Sequence, residues 1–250
     1  MNAPLPGNTR TLVLTGASRG IGHATVKKFG ASGWRIITIS RQPFSALCPW
    51  PGGEKNHVQL DLGDPVELGR GIEEIRHRLA GNGLHALVNN AAISPKGPNG
   101  KRLGAMDTPF DLWRQVFNVN FFAPVALARG LVDELSKAQG CVVNVTSIAG
   151  SRVHPFAGSA YATSKAALAS LTREMAHDFG PRGIRVNAIA PGEIDTAILS
   201  PGTEKIVEEQ IPMRRLGTPD EVADVIHFLC EKGASYVSGA EIQINGAQHV

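Results

Sequence analysis

The sequence has few cysteines and no long apolar run, and each shortage excludes a class of protein. Its three cysteines, Cys48, Cys141 and Cys230, are widely spaced and form no CxxC motif, so neither a disulfide framework nor a zinc site is indicated. No stretch of about 18 apolar residues is present. Residues 1–10 contain no apolar segment of the kind that directs export. We therefore expect a cytoplasmic protein without a metal or a membrane partner.

An excess of charge of one sign is also missing. The chain has 25 basic and 22 acidic residues and a formal net charge of +3, with no Lys/Arg-rich run, so no nucleic-acid partner is expected. Because 42% of the residues are hydrophobic, the chain can bury a core and is not disordered. No repeat or long linker divides it. We expect a flexible tail over residues 1–10 and one domain over residues 11–250.

Short β-branched runs alternate with segments of helical period, which predicts an α/β fold with a parallel sheet. Seven strands are predicted at residues 11–15, 35–40, 57–60, 86–89, 141–146, 185–190 and 241–244. Helices are predicted at residues 20–31, 65–80, 109–136, 160–179 and 220–231. Because crossover helices cover both faces of such a sheet, ligands are expected at the carboxyl ends of the strands.

Several residues predict where helices begin and end. Thr108 and Thr218 each precede a proline and can cap a helix, while Gly33 and Gly180 each follow a helix where a left-handed residue is favoured. Residues 43–56 and 95–104 have the composition of solvated loops. Residues 193–210 follow the sixth strand at the ligand edge, and we expect them to form a mobile substrate lid.

The sequence Thr-Gly-Ala-Ser-Arg-Gly-Ile-Gly at residues 15–22 follows the first strand and opens the first helix. A turn this tight needs residues without Cβ, and the amides at the start of the helix point at an anion. The position predicts a dinucleotide pyrophosphate site, although glycines alone could serve packing.

The residues that meet the adenosine ribose decide which dinucleotide binds. An NAD site places an acidic residue about 20 positions after the glycine turn, but here the second strand ends with Ser40 and Arg41. Arg41 and Arg19 could bracket a 2′-phosphate. NADP(H) is therefore favoured and NAD(H) is possible, with Arg41 as a solvated loop residue the alternative. Asp61, after the third strand, could accept from the adenine or only cap a turn.

Tyr161 and Lys165 lie four residues apart on a predicted helix and share one face. A tyrosine has a pKa near 10, and a neighbouring ammonium and an oxidised nicotinamide would lower that pKa. Tyr161 could then exchange a proton with a substrate oxygen, although the spacing also fits a surface pair. Ser147, just past the fifth strand, could hold that oxygen or cap a turn. Asn118 and Asn120 point in different directions, so only one can face the site.

Together these motifs resemble the short-chain dehydrogenase/reductase family over nearly the whole chain, in particular its single-domain branch that includes 3-oxoacyl-carrier-protein reductases. The resemblance is carried by TGASRGIG at 15–22, NNAA at 89–92, Asn120, Ser147, YATSK at 161–165 and PGEIDT at 191–196. It implies a Rossmann-type, doubly wound sheet and hydride transfer to or from nicotinamide. It also implies a catalytic tetrad of Asn120, Ser147, Tyr161 and Lys165, in which Asn120 steadies a water linked to Lys165.

The resemblance also implies the cofactor contacts and the assembly. The expected cofactor-binding residues are Gly16, Ser18, Arg19, Gly20, Ile21, Gly22, Ser40, Arg41, Asp61, Leu62, Asn90, Ala91, Ala92, Thr146, Tyr161, Lys165, Pro191, Gly192, Ile194 and Thr196. A homo-oligomer, most often a tetramer, is typical of the family. Two positions depart from its pattern: Ala92 replaces a glycine, and Asn245-Gly246-Ala247 replaces Asp-Gly-Gly.

The expected activity is an NADP(H)-dependent oxidoreductase acting on a small carbonyl or alcohol substrate, with Ser147, His154 and Phe156 lining the pocket. His154 could equally be a partly exposed loop histidine. A 3-oxoacyl-carrier-protein reductase is the first alternative, and its acyl-carrier partner would need a basic patch, for which Arg152, Arg214 and Arg215 are the candidates. A non-catalytic dinucleotide-binding sensor is the second.

Overall fold

The apolar runs of the sequence form one parallel sheet. The computed structural model describes residues 9–44, 52–196 and 202–250. Within them the strands are β1 Thr11–Thr15, β2 Arg35–Ser40, β3 His57–Gln59, β4 Ala86–Asn89, β5 Cys141–Val145, β6 Arg185–Pro191 and β7 Glu241–Ile244. Their spatial order is β3-β2-β1-β4-β5-β6-β7, and every neighbouring pair is parallel. The predicted seven-stranded, doubly wound sheet is confirmed.

Helices cover both faces of this sheet. They are α1 Gly20–Ala31, α2 Pro65–Leu79, α3 Phe110–Phe117, α4 Ala123–Gly130, α5 Val132–Ala138, α6 Ser159–Phe179, α7 Thr203–Gln210 and α8 Pro219–Cys230. One buried cluster packs α2, α4 and α5 against the sheet. The other packs α1 and α8 on the opposite face, with Phe29 fully buried at its centre. No helix among the described residues is long and apolar enough to cross a bilayer.

The single helix predicted at residues 109–136 is wrong. The chain there forms α3, a π-helical turn Asn118–Phe122, and then α4 and α5, which are separated by Leu131. Pro124 has no N–H to donate to the carbonyl of Asn120 four residues earlier, so an α-helical hydrogen bond is missing at the π turn. A Cβ on Gly130 would lie 2.8 Å from Ile72, so the close packing of α2 requires glycine at this position.

The predicted helix ends are partly correct. Thr218 caps α8 in a capping box, in which its hydroxyl accepts from Glu221 N and the Glu221 carboxylate accepts from Thr218 N. Gly33 adopts the expected left-handed conformation with φ +75°. Thr108 does not cap α3, because its hydroxyl donates to the Gly104 carbonyl and Pro109 is the N-cap. Gly180 stays right-handed, and Gly183 takes the left-handed position instead.

The start of the described chain is anchored to the core. The guanidinium of Arg10 donates to Glu231 at 2.7 Å and lies 4.3 Å from the centre of the Trp34 ring. Arg10, which we placed in the tail, is therefore held against the domain, while the rest of the predicted tail over residues 1–8 lies outside the described residues.

Candidate active site

A cleft of about 880 Å³ opens at the carboxyl ends of the strands, where the strand order reverses between β1 and β4. Each residue of the predicted site lines this cleft except Gly22 and Asn120. Those two lie directly behind its wall, and their contacts are described below. The fold therefore brings together residues from widely separated parts of the sequence, as the motifs predict.

The glycine turn needs its glycines for steric reasons. Gly16 and Gly20 have φ values of +70° and +53°, in the left-handed region that disfavours side chains. A Cβ on Gly22 would lie 2.0 Å from the carbonyl oxygen of Gly16, and one on Gly16 would lie 2.9 Å from Ala91. Gly22 therefore shapes the turn from inside, which is why it does not line the cleft.

Asn90 holds the glycine turn in place. Its side-chain amide donates to the carbonyls of Thr15 and Gly16 at 3.1 and 3.0 Å, while the Thr15 hydroxyl accepts from the backbone N–H groups of Asn90 and Ala91. The NNAA motif thus positions the glycine turn through Asn90 and Ala91. The side chain of Asn90, expected to bind cofactor, is engaged in this structural role.

The start of α1 fits a dinucleotide pyrophosphate. Arg19 precedes the helix in an extended conformation, no side chain caps it, and its first turn carries no acidic residue. Backbone N–H groups and the positive end of the helix dipole therefore face the cleft, where they would hold phosphate oxygens. A bound nicotinamide dinucleotide would supply hydride exchange at this site.

The end of the cleft next to β2 carries Ser40, Arg41 and Asp61. Arg41 is exposed at the rim, and the part of the chain described directly after β2, residues 41–44, carries no acidic side chain. The Ser40 hydroxyl donates to the Gln42 carbonyl at 2.9 Å, so it closes a turn. One oxygen of Asp61 accepts from Gly63 N at 2.8 Å, which is the turn-capping alternative, and leaves the second oxygen of the carboxylate for another donor.

Tyr161 and Lys165 lie on one face of α6 in the cleft wall, Tyr161 partly exposed and Lys165 buried, with the Lys165 Nζ atom 5.7 Å from the centre of the Tyr161 ring. The Nζ atom donates to the Val145 carbonyl at 2.6 Å. Burial lowers the pKa of Lys165 to about 7. Burial also raises the pKa of Tyr161, although a hydrogen bond with Ser147 opposes that rise. The lowering expected for Tyr161 is therefore wrong for the protein alone, because desolvation outweighs the opposing effect of the Ser147 hydroxyl.

Ser147 lies just past β5 and makes the turn-capping contact foreseen for it. Its hydroxyl oxygen accepts from Ala149 N at 3.2 Å and so caps the short turn Ile148–Gly150. The same hydroxyl is near enough to Tyr161 to oppose the rise in its pKa. Its contact with a substrate oxygen stays a prediction.

Asn120 is fully buried in the π turn behind the cleft. Its amide donates to the Ile93 carbonyl and to the Ser164 hydroxyl, both at 3.0 Å, and its oxygen accepts from Ile93 N. Asn118 instead donates to the Gly63 carbonyl at 3.3 Å. Of the two asparagines, Asn120 thus connects the cleft strand loop to α6, next to Lys165.

The Thr146 hydroxyl, on a residue expected to bind the cofactor, points into the sheet, within reach of the Ile189 carbonyl and of the Glu241 carboxylate.

A buried chain of side-chain hydrogen bonds, which we did not predict, runs from Asn89 to Asn144 and on to Thr172 on α6, with both bonds at 2.9 Å. This chain fixes α6 against β4 and β5 and so sets where Tyr161 stands.

The end of the cleft that carries the predicted pocket residues His154 and Phe156 is called the substrate end here. It contains two charged residues that we did not predict, Lys96 and Glu193. Lys96 donates to the Phe156 carbonyl, and Glu193 is bonded to His154. His154 lines the cleft with 11% of its side chain exposed, and its ring is engaged with Glu193. The sequence offered one signal, since Glu193 follows Pro191-Gly192 in the last motif.

Only part of the predicted lid lies within the described residues. Residues 197–201 lie outside the described residues, but residues 202–210 include α7, a helix that we did not predict, whose Thr203 and Ile206 are buried. A Cβ on Gly202 would lie 3.5 Å from the Phe156 ring. The described part of the lid therefore packs beside the substrate end of the cleft.

Comparisons with known proteins agree with this geometry. Residues 16–249 match the protein-family model described as enoyl-(acyl carrier protein) reductase. Protein FixR of Bradyrhizobium diazoefficiens is 63% identical over 98% of this chain and 88% of its own length. The 3-oxoacyl-carrier-protein reductase FabG of Aquifex aeolicus is 32% identical over 94% of this chain and 95% of its own length.

A solved structure from Brucella ovis is also similar. It is an oxidoreductase of the short-chain dehydrogenase/reductase family in complex with partially ordered NAD, 61% identical, with a TM-score of 0.83 over 95% of this chain and all of its own. The chain belongs to the short-chain dehydrogenase/reductase family. It is accordingly an oxidoreductase of the class that uses a nicotinamide dinucleotide to interconvert alcohols and carbonyls.

Proposed function

We propose that the protein transfers a hydride between NADP(H) and a small carbonyl or alcohol substrate. One observation carries the proposal: Ser147, Tyr161 and Lys165 line the same cleft as the glycine turn, with the Lys165 Nζ atom 5.7 Å from the centre of the Tyr161 ring and the Ser147 hydroxyl near enough to lower the pKa of Tyr161. When bound, NADPH would supply the hydride for the carbonyl carbon. Tyr161 would give its proton to the carbonyl oxygen, and the resulting phenolate would regain a proton from solvent.

Each residue of the tetrad has a distinct part in this proposal. Ser147 orients the substrate oxygen toward Tyr161, and Tyr161 exchanges the proton with that oxygen. Lys165 supplies a nearby cation when protonated, and its pKa of about 7 allows it to gain or lose a proton near neutral pH. Asn120 positions the π turn next to α6 through its bonds to Ile93 and Ser164.

The preference for NADP(H) rests on the end of β2. Arg41 stands exposed at the cleft rim with Arg19 on the glycine turn, and none of the described residues 40–44 at the end of β2 is acidic. A guanidinium fork matches phosphate geometry. The Brucella ovis relative holds NAD, so the test compares NADPH with NADH.

The test measures oxidation of NADPH and NADH over a panel of ketones, aldehydes, sugars and an acetoacetyl thioester. We expect NADPH to give the higher kcat/KM, and Tyr161→Phe to lower turnover by about 10²–10⁴-fold while cofactor binding, followed by NADPH fluorescence, persists. A preference for NADH would refute the role of Arg41. Full activity of Tyr161→Phe would refute the proposed proton transfer.

The same panel separates the alternatives. A 3-oxoacyl-carrier-protein reductase would favour the acetoacetyl thioester, but two of its three candidate docking residues are engaged: Arg152 donates to the Gln248 carbonyl and Arg215 forms a fork with Glu221. A dinucleotide-binding sensor would bind NADPH without turnover of any substrate. The meeting of Ser147, Tyr161 and Lys165 in one cleft argues against a sensor, because binding alone does not need them together.

We further propose a homotetramer in a reducing compartment, the cytoplasm. Large apolar side chains, including Phe110 and Tyr236, are exposed on the isolated chain, as expected for surfaces that partner copies cover. Cys141 and Cys230 are both buried and carry free thiols, which fits a reducing environment. Light scattering after size-exclusion chromatography is expected to give four times the chain mass, whereas a monomer would refute the assembly.

A further inference from the structure

The substrate end of the cleft holds a carboxylate fixed on both sides. Gly217 N donates to the Glu193 carbonyl at 3.0 Å, and Asp195 N donates to the Gly217 carbonyl at 2.8 Å, so the backbone around Glu193 is clamped. Its side chain lines the cleft and is 11% exposed. A nearly buried carboxylate is costly unless it is hydrogen-bonded, so its partners indicate what it is for.

His154 holds one oxygen of this carboxylate. Phe156 N donates to His154 Nδ1 at 3.2 Å, so Nδ1 carries no proton and the proton of the neutral ring is on Nε2. Nε2 donates to Glu193 Oε1. An ionised carboxylate accepts up to about four hydrogen bonds, and His154 uses one of them. Glu193 therefore keeps acceptor capacity inside the cleft.

The charges around the carboxylate are balanced. The Lys96 ammonium also lines the cleft, donates to the Phe156 carbonyl, and interacts with the Glu193 charge. The negative charge of Glu193 reaches the proton-exchanging phenol as well, since it raises the pKa of Tyr161. One cation, one anion and a neutral imidazole favour an uncharged substrate with its own hydrogen-bond donor.

We propose that Glu193 determines specificity by accepting a hydrogen bond from a second hydroxyl of the substrate, so that the substrate class is small neutral hydroxyketones and the corresponding diols. The inference rests on the proposed function, because it assumes a carbonyl held by Ser147 and Tyr161. The physical reason is that removing the acceptor from water costs free energy. A hydrogen bond from a substrate hydroxyl offsets that cost, whereas a plain ketone or an acyl chain leaves the acceptor unpaired. His154 acts as a positioning residue for the carboxylate.

The test compares two ketones of equal carbon number, 3-hydroxy-2-butanone and 2-butanone, with NADPH and with NADH. We expect the wild type to prefer the hydroxyketone by at least about tenfold in kcat/KM. Glu193→Gln, which keeps an acceptor without the charge, reduces this ratio, and Glu193→Met, which removes both, brings it near one. Glu174→Gln, on the exposed face of α6 and outside the cleft, is the matched control and leaves the ratio at the wild-type value.

A second readout does not need turnover. Saturation-transfer NMR on the NADP⁺-loaded protein is expected to show stronger contact with 2,3-butanediol than with 2-butanol, and Glu193→Met is expected to remove the difference. Equal kcat/KM values for the two ketones in the wild type, or an unchanged ratio in Glu193→Met, would overturn the role of Glu193 and leave the proposed function standing. Lack of any carbonyl turnover would instead refute the proposed function, and the NMR comparison would then decide on Glu193.

Discussion

At the scale of single residues, burial sets the chemical state of the reacting groups. Lys165 has 2% of its surface exposed and one hydrogen bond, to the Val145 carbonyl. With little solvent to stabilise an ammonium, its pKa falls from 10.5 to about 7. The cost of burying this lysine is therefore a stability cost that depends on pH.

That cost predicts how stability changes with pH. Between about pH 7 and 10 the unfolded chain binds a proton at Lys165 that the folded protein does not, so stability from this group rises with pH. We expect the unfolding free energy of the wild type to rise, relative to Lys165→Met, by about 1 kcal/mol per pH unit over that window. Urea unfolding at several pH values measures it, and parallel curves for the two proteins would contradict the expectation.

At the scale of elements, the turn between β1 and α1 combines a steric and an electrostatic requirement. Gly22 must lack a Cβ because the Gly16 carbonyl lies where that atom would be, while the uncapped start of α1 leaves N–H groups facing the cleft. The turn is then locked from β4 by Asn90. One element therefore depends on its neighbour for the shape of the phosphate site.

Two glycine substitutions test the steric requirement, one in the turn and one on α2 as a control. Gly22→Ala is expected to weaken NADPH binding at least tenfold and to destabilise the protein by about 1–3 kcal/mol, because the turn must shift to admit the methyl group. Gly69→Ala on α2 has open space around it and is expected to stabilise by about 0.5–1 kcal/mol. Fluorescence titration and thermal unfolding measure both. Normal NADPH binding by Gly22→Ala would show that the turn is not the phosphate site.

At the scale of the whole molecule, the cleft joins loops from both halves of the sheet. Residues of the glycine turn, the end of β2, α6 and the segment after β6 all line it. A ligand that contacts all of these binds the folded chain and not the unfolded one. Cofactor binding is therefore coupled to global stability.

The coupling gives a direct measure of cofactor preference. At 100 times its Kd a cofactor adds about 2.7 kcal/mol to the unfolding free energy, which corresponds to a rise in Tm of about 5–10 °C for a chain of this size. At equal, non-saturating concentrations we expect NADPH to raise the Tm more than NADH does. Arg41→Ala should reduce the rise with NADPH and leave that with NADH unchanged. Equal shifts with the two cofactors in the wild type would contradict the preference.

The sequence by itself determined the fold class, because short β-branched runs, segments of helical period and the glycines that end them are local properties of the chain. It predicted each strand of the sheet to within a residue at either end, and it predicted α1 from Gly20 to Ala31. It also predicted which cleft residues meet, since motifs at the carboxyl ends of parallel strands converge. Interruptions such as the π turn before Pro124 were missed because apolar periodicity continues through them.

Only the tertiary structure decided the states and partners of the side chains. The pKa of Tyr161 is raised by residues far from it in the sequence. Distant residues also meet in the bond between His154 and Glu193 and in the amide chain from Asn89 to Thr172. Desolvation and hydrogen bonding depend on everything that packs around a group, and no local pattern records that. The sequence thus determined the scaffold and the type of reaction, whereas packing decided the electrostatics of the site and the character of its substrate end.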